Sequence, residues 1–110
     1  MYKIPSSVKI DAKKGLLMHR KGFMGGTPTG WGRAVQLSSH KNLDEHTIRT
    51  MKAWFARHEY TSYPGYLKWK RDGSPVDLTK SNRAKYRGAV AWLLWGGDPA
   101  KKWLQTINLK

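Results

Sequence analysis

Residues 89 to 95, AVAWLLW, constrain the chain more than any other stretch. With Tyr86 just before them they are apolar on every side of a helix, so such a helix has no face to turn toward water and must be surrounded by other elements. The spacing predicts it from about Asn82 to Trp95. Gly96-Gly97-Asp98-Pro99 follows and reads in two ways. It is a joint, with Gly96 stopping one helix, Asp98 capping the next and Pro99 at its first position. Alternatively it is an active-site loop carrying a carboxylate. Each of the four residues has a sufficient structural task, which favours the joint.

The surroundings come from the rest of the chain. A first helix opens at Pro5-Ser6-Ser7, with Ser6 or Ser7 as N-cap, and stops at Gly22. Val8, Ala12, Gly15, Leu16 and His19 share one of its faces, with Lys9, Lys13 and Arg20 in a stripe beside it. Thr27 caps a second helix with Pro28 at its first position, and Trp31, Ala34, Val35 and Ser38 form its inward face. Gly30 and Gly32 each cost that helix about 1 kcal/mol relative to Ala, so they are expected where another backbone comes close. A third helix is capped by Asp44, and Leu43 staples onto Ile48. Ile48, Met51, Trp54, Phe55 and His58 occupy one arc of it, with Arg49, Lys52 and Arg57 opposite.

Residues 60–81 break this rhythm. Leu67 and Trp69 alternate with Lys68 and Lys70, Asp72-Gly73 is a hairpin signal, and Pro75 argues for an edge or a plain loop. A short hairpin or an ordered loop is expected there. The last helix turns Trp103, Leu104 and Ile107 inward and Lys101 and Lys102 outward. The expected fold is all-α: a single domain, 1–110, in which four or five short helices form a compact bundle around one aromatic core, with one loop or hairpin at about 60–81.

Charge narrows the function. Lys and Arg total 21 against 7 Asp and Glu, a formal +14. That imbalance opposes compaction by self-repulsion and favours polyanionic partners. There is no cysteine, so disulfides and cysteine-zinc sites are excluded. No long apolar run or signal-peptide core is present, and a soluble, non-secreted protein is expected. The basic helices lack the wide Trp/Phe/Leu face of an interfacial helix, so no membrane partner is expected. Nucleic acid is, with DNA favoured over RNA, held mainly through phosphates. The candidate contacts are Lys9, Lys13 and Arg20 on the first helix and Arg49, Lys52 and Arg57 on the third. Arg83, Lys85 and Arg87, then Lys101 and Lys102, flank the buried helix. Arg83, Lys85 and Arg87 stand where the helix dipole opposes cations, unless that helix starts earlier and they are ordinary surface residues. In YLKWKR, Tyr66 and Trp69 interleave with Lys68, Lys70 and Arg71. There Trp69 either stacks on an unpaired base or packs on the core.

Catalytic patterns are sparse. No histidine pair has metal-ligand spacing, and GGTPTG lacks the Lys-Ser/Thr ending of a P-loop. It can still offer amides to one phosphate at a helix N-terminus. Adjacent residues such as His58 and Glu59 point about 100° apart on a helix and do not converge on one atom. Glu59, Asp98 and His58 are the only acid/base or metal candidates, too few carboxylates for a two-metal nuclease. Neither catalysis nor a cofactor nor a metal is expected.

Three ordered blocks, GGTPTGWGRAVQL, TIRTMKAWFARHE and GAVAWLLWGGDPAKKW, resemble a small domain that recurs in tailed-phage and other viral genomes, alone or joined to phage head proteins. The likeness covers most of residues 12–104. Where many relatives carry a Tyr-Pro-Ser segment this chain has RAKYRG, and residues 60–81 diverge. The resemblance implies a viral origin, and with it the virion or the host cytoplasm as location. No biochemical activity comes with it, so no catalytic role transfers. The matching residues are Gly26, Thr27, Arg33, Arg57, His58, Glu59, Trp92, Trp95, Asp98 and Trp103. From these a buried network is expected, pairing Arg57 or Arg33 with Glu59 or Asp98 and closed by His58. Two other functions stay open: a virion component facing packaged genome or acidic capsid loops, and an enzyme that processes nucleic acid.

Overall fold

The computed structural model describes residues 1–109. They form six helices: α1 (Ser6–Lys21), α2 (Pro28–Ser39), α3 (Glu45–His58), α4 (Tyr63–Arg71), α5 (Arg87–Leu94) and α6 (Gly97–Gln105). Two short strands, β1 (Tyr2–Lys3) and β2 (Asn42–Leu43), pair antiparallel with Tyr2 opposite Leu43, and tie the N-terminus to the start of α3. The architecture is helical as expected, with six helices in place of four or five.

Helix α5 is the buried centre. Ala89, Val90, Trp92 and Leu94 have no exposure and Leu93 has 1 %. Helices α1, α4 and α2 pack on it and α6 folds back after it. Close approach is possible because the crossing points lack side chains. A Cβ at Gly15 would lie 2.7 Å from Leu94 N, and one at Gly65 of α4 would lie 3.0 Å from the Cα of Gly88 of α5. Helix α3 packs mainly against α6, and its Trp54 stacks on Trp95 at 4.8 Å while Phe55 meets Trp92 edge-on at 4.8 Å. Such aromatic pairs add about 0.5–1.5 kcal/mol beyond the area they bury.

Several local expectations hold. Asp44 accepts from Thr47 N at 2.8 Å and Thr27 from Gly30 N at 3.3 Å, each as the N-cap of its helix. Gly22, at φ 108°, ends α1 in the left-handed conformation. Others are corrected. Pro5, not Ser6 or Ser7, precedes α1, and no side chain caps it. On α2, Ala34 is buried and Trp31 packs on the core as expected, but Gly30 and Leu37 complete the inward face while Val35 is 46 % exposed. Neither glycine of α2 meets another backbone: Gly30 faces the Trp95 indole, and Gly32 has open space. Helix α6 is entered through Gly96, with Asp98 in its first turn, so Asp98 is not the cap.

The largest correction is residues 60–81. They contain a helix, α4, with Pro64 in its first turn, where a missing N–H costs nothing. Tyr63, Tyr66 and Trp69 recur every third residue and turn toward the core, whereas Leu67 is 41 % exposed. Asp72-Gly73 does reverse the chain, but as a helix end. Gly73, at φ 92°, donates to Lys70 O and Ser74 N to Trp69 O, which closes the last turn. Beyond it, residues 72–86 form an ordered loop of turns, so α5 begins at Arg87 rather than near Asn82.

Candidate nucleic-acid interface

The loop of residues 72–86 is held against two helix ends. From α1, Lys21 donates to Val76 O at 3.1 Å and pairs with Asp77 at 3.3 Å. Met24 N donates to Arg83 O at 2.9 Å, and Arg83 Nε returns a bond to Gly22 O at 3.4 Å. From α4, the Trp69 indole donates to Pro75 O at 2.7 Å, while Tyr86 donates to Asp72 at 2.7 Å. Within the loop, Thr79 and Asn82 bond to each other reciprocally. Segments some sixty residues apart therefore meet in one corner.

That corner is basic. The last turn of α1 brings Lys21, and the last turn of α4 brings Lys68, Lys70 and Arg71. The loop and the start of α5 bring Lys80, Arg83, Lys85 and Arg87, all exposed. The 72–86 segment carries two acids, and both are paired: Asp77 with Lys21, and Asp72 with Lys85 at 3.5 Å; Asp11 of α1 lies within the field of Lys70. The Tyr86 hydroxyl, helped by Lys85, holds the Asp72 carboxyl below its ordinary value. Cations at the ends of α1 and α4 are what the helix dipole attracts. It gives no such reason for the loop cations, and at Arg87, the first residue of α5, it opposes one by about 0.3–1 kcal/mol. Of the three cations expected at that helix start, only Arg87 lies on the helix.

The other expected contacts separate. Lys9 donates to Leu37 O at 3.3 Å and to His40 O, so it closes the C-terminal end of α2. Lys52 donates to Ile107 O. Arg49 pairs with Glu45 at 3.4 Å, and Arg57 is exposed on the same helix. Lys101 pairs with Glu59 at 3.2 Å beside a cleft of about 300 Å³ between α3 and α6, and Lys102 is exposed nearby. Lys13 and Arg20 line a groove between α1 and α2. Trp69 is withdrawn from any base-stacking role: it is 1 % exposed, with its indole N–H already bonded. Lys21, absent from the expected set, belongs to the corner through its contacts with Val76 and Asp77, and Lys80, also outside that set, is exposed on the same loop.

The single expected network resolves into separate pairs. His58 Nδ1 donates to Trp54 O at 2.8 Å and its ring stacks on Trp54. Arg33 lies 5.3 Å over Trp95 and donates to Gln36. Asp98 accepts from the Trp92 indole at 2.9 Å. Glu59 holds Lys101, whose ammonium also sits over Tyr63 at 5.2 Å. His58, Glu59 and Asp98 thus face different partners and do not converge on one reacting atom. Asp11 was not a candidate, yet its carboxylate lies against Gly97. Burial raises its pKa, Lys14 and Lys70 pull it back, and Asp98 adds to the rise. Tyr66 close by is pushed up to about 12 by burial, with Asp98 and Asp11 adding. Among the described residues no group of three or more His, Asp or Glu is placed to hold a metal, and no helix is long and apolar enough to cross a membrane. No family model matches the chain, and neither a curated protein nor a solved structure matches it.

Proposed function

We propose that this is a viral protein that binds nucleic acid, DNA in preference to RNA, through phosphate contacts made by the corner between α1, α4 and the 72–86 loop. The observation that carries the reading is the gathering of cations from three distant segments around two acids that are already paired. Hydrogen bonds fix the loop, so Arg83, Lys85 and Arg87 are presented on an ordered surface and little ordering entropy opposes their contacts. Phosphate contacts position a protein without reading sequence, so affinity should be nearly independent of base order. The buried aromatics argue against stacking on bases as the main source of affinity.

The test is fluorescence anisotropy on a labelled duplex at low salt, with the triple variant Arg83→Gln, Lys85→Gln, Arg87→Gln against the double variant Arg57→Gln, Lys102→Gln. The expected result is at least a tenfold loss in the triple variant and a much smaller one in the double, whatever the sequence of the duplex. Equal losses in the two variants would remove the corner from the reading. Wild-type protein that does not bind at about 50 mM salt would end it.

A further inference from the structure

Helices α1 and α2 run side by side in opposite directions and leave a groove of about 460 Å³, lined by Lys13, Leu16, Leu17, Arg20, Val35 and Ser38. Two of its three apolar residues are open to solvent, Leu17 at 44 % and Val35 at 46 %, while Leu16 is buried beneath them. No acid lines either wall. Helix α2 contains no Asp or Glu, and the one acid of α1, Asp11, sits against Gly97 of α6 instead. At one end Lys9 bridges to carbonyls of α2; at the other the His19 ring stacks on Trp31 at 4.1 Å. The groove is thus bounded at both ends, apolar along its floor and positive along its rim.

We propose that this groove docks an acidic, amphipathic helix of a partner protein. Ridges of side chains on one helix fit grooves on another, and apolar anchors at i, i+3, i+4 and i+7 are how a helix seats in an apolar cleft. Lys13 and Arg20 stand seven residues apart on α1, about 10.5 Å along its axis, which is also the spacing of carboxylates at i and i+7 on a docked helix. Other occupants fit less well. A phosphate backbone gains nothing by covering Leu17 and Val35, and a flat bilayer does not enter a groove. A second copy would bring +14 against +14. This docking goes beyond the nucleic-acid reading and does not depend on it.

The experiment uses the full chain and two labelled helical peptides, each with a Leu/Ala face, one bordered by Glu at i and i+7 and the other by Lys. The groove is changed without altering charge by Leu17→Ser with Val35→Ser, both half-exposed positions whose variant should melt close to wild type. The Glu peptide is expected to bind, and the Ser variant and Lys13→Gln each to weaken it at least about tenfold. The corner variant Arg83→Gln, Lys85→Gln, Arg87→Gln should bind it as wild type does, which separates this result from that of the nucleic-acid reading. Undiminished binding in the Ser variant would show mere attraction of a polyanion to a basic surface and overturn the proposal. So would failure of the Glu peptide to bind, equal binding of the Lys peptide, or a duplex whose affinity falls in the Ser variant. A dimer that the same variant abolishes would assign the groove to a second copy and likewise overturn it.

Discussion

A methyl group at Gly15 would meet Leu94 N at 2.7 Å, whereas one at Gly32 would meet nothing within 4 Å. The same substitution should therefore have opposite signs at the two places. Gly32 is helical, so Gly32→Ala removes unfolded-state freedom and should stabilise the fold by about 0.4–1 kcal/mol. Gly15→Ala forces α1 away from the backbone of α5 and should cost about 1–3 kcal/mol. Urea unfolding of both variants checks the pair, and a loss at Gly32 would contradict the open space beside it. Asp98 offers a second comparison. Its oxygen accepts the indole N–H of Trp92, a residue with no exposure. Asp98→Asn keeps an acceptor and should cost little. Asp98→Ala leaves the N–H buried and unpaired, and should cost about 1–3 kcal/mol in the same assay. Near-identical stability of the two variants would show that the bond to Trp92 carries no weight.

Helix α4 and its end show why some elements were legible and others were not. Helix α3 could be read from the sequence because each signal was local: Asp44 caps it, and Ile48, Met51, Trp54 and Phe55 line one arc. The aromatic residues of α4 lie three apart, but Leu67 inserts an apparent alternation that mimics a strand, and Asp-Gly serves a hairpin or a helix end equally well. What decided between them was tertiary: Tyr63 and Tyr66 lie 4.9 and 6.3 Å from Trp92. Asp98 was misassigned for a related reason, since the donor that claims its oxygen is an indole six residues back rather than a backbone amide. The basic corner was half legible: charge identified most of its cations, but the bond from Arg83 to Gly22 joins positions sixty-one apart and no local pattern encodes it. That corner also makes a pH prediction. Asp72 has a folded-state pKa below the ordinary 3.8, chiefly through the Tyr86 hydroxyl. A carboxylate depressed on folding adds stability that is fully present above its unfolded pKa and is lost as pH falls through its folded one. Tyr86→Phe should lower the melting temperature at neutral pH, and its difference from wild type should shrink as the pH falls through and below the ordinary carboxylate range. A constant difference across that range would mean that Tyr86 acts by packing alone.

Over the whole molecule, the formal charge of +14 is held within 45 × 27 × 22 Å. At about 0.01 M salt the Debye length is roughly 30 Å, longer than two of those dimensions, so like charges repel across the body of the fold. At about 1 M it falls to roughly 3 Å, and only neighbours still interact. Few attractive pairs exist to be screened in exchange, because the chain has only seven acids. The fold should therefore melt at a higher temperature as sodium chloride is raised from about 0.01 to 0.5 M. Nucleic-acid affinity should move the other way. Each phosphate contact on duplex DNA contributes a slope of about −0.9 in log K against log salt, so six contacts would cost about three decades between 50 and 200 mM. Removing Arg83, Lys85 and Arg87 should flatten the binding slope by two to three units. It should also flatten the rise of melting temperature with salt, since three of the repelling charges, one of them at the start of α5, are gone. Two titrations on one pair of proteins, melting and anisotropy, measure both. Opposite salt dependences that weaken together in the variant are the signature of a surface whose charge is held for a polyanion at the expense of the fold. If the variant flattened neither curve, that charge would belong to solvation alone.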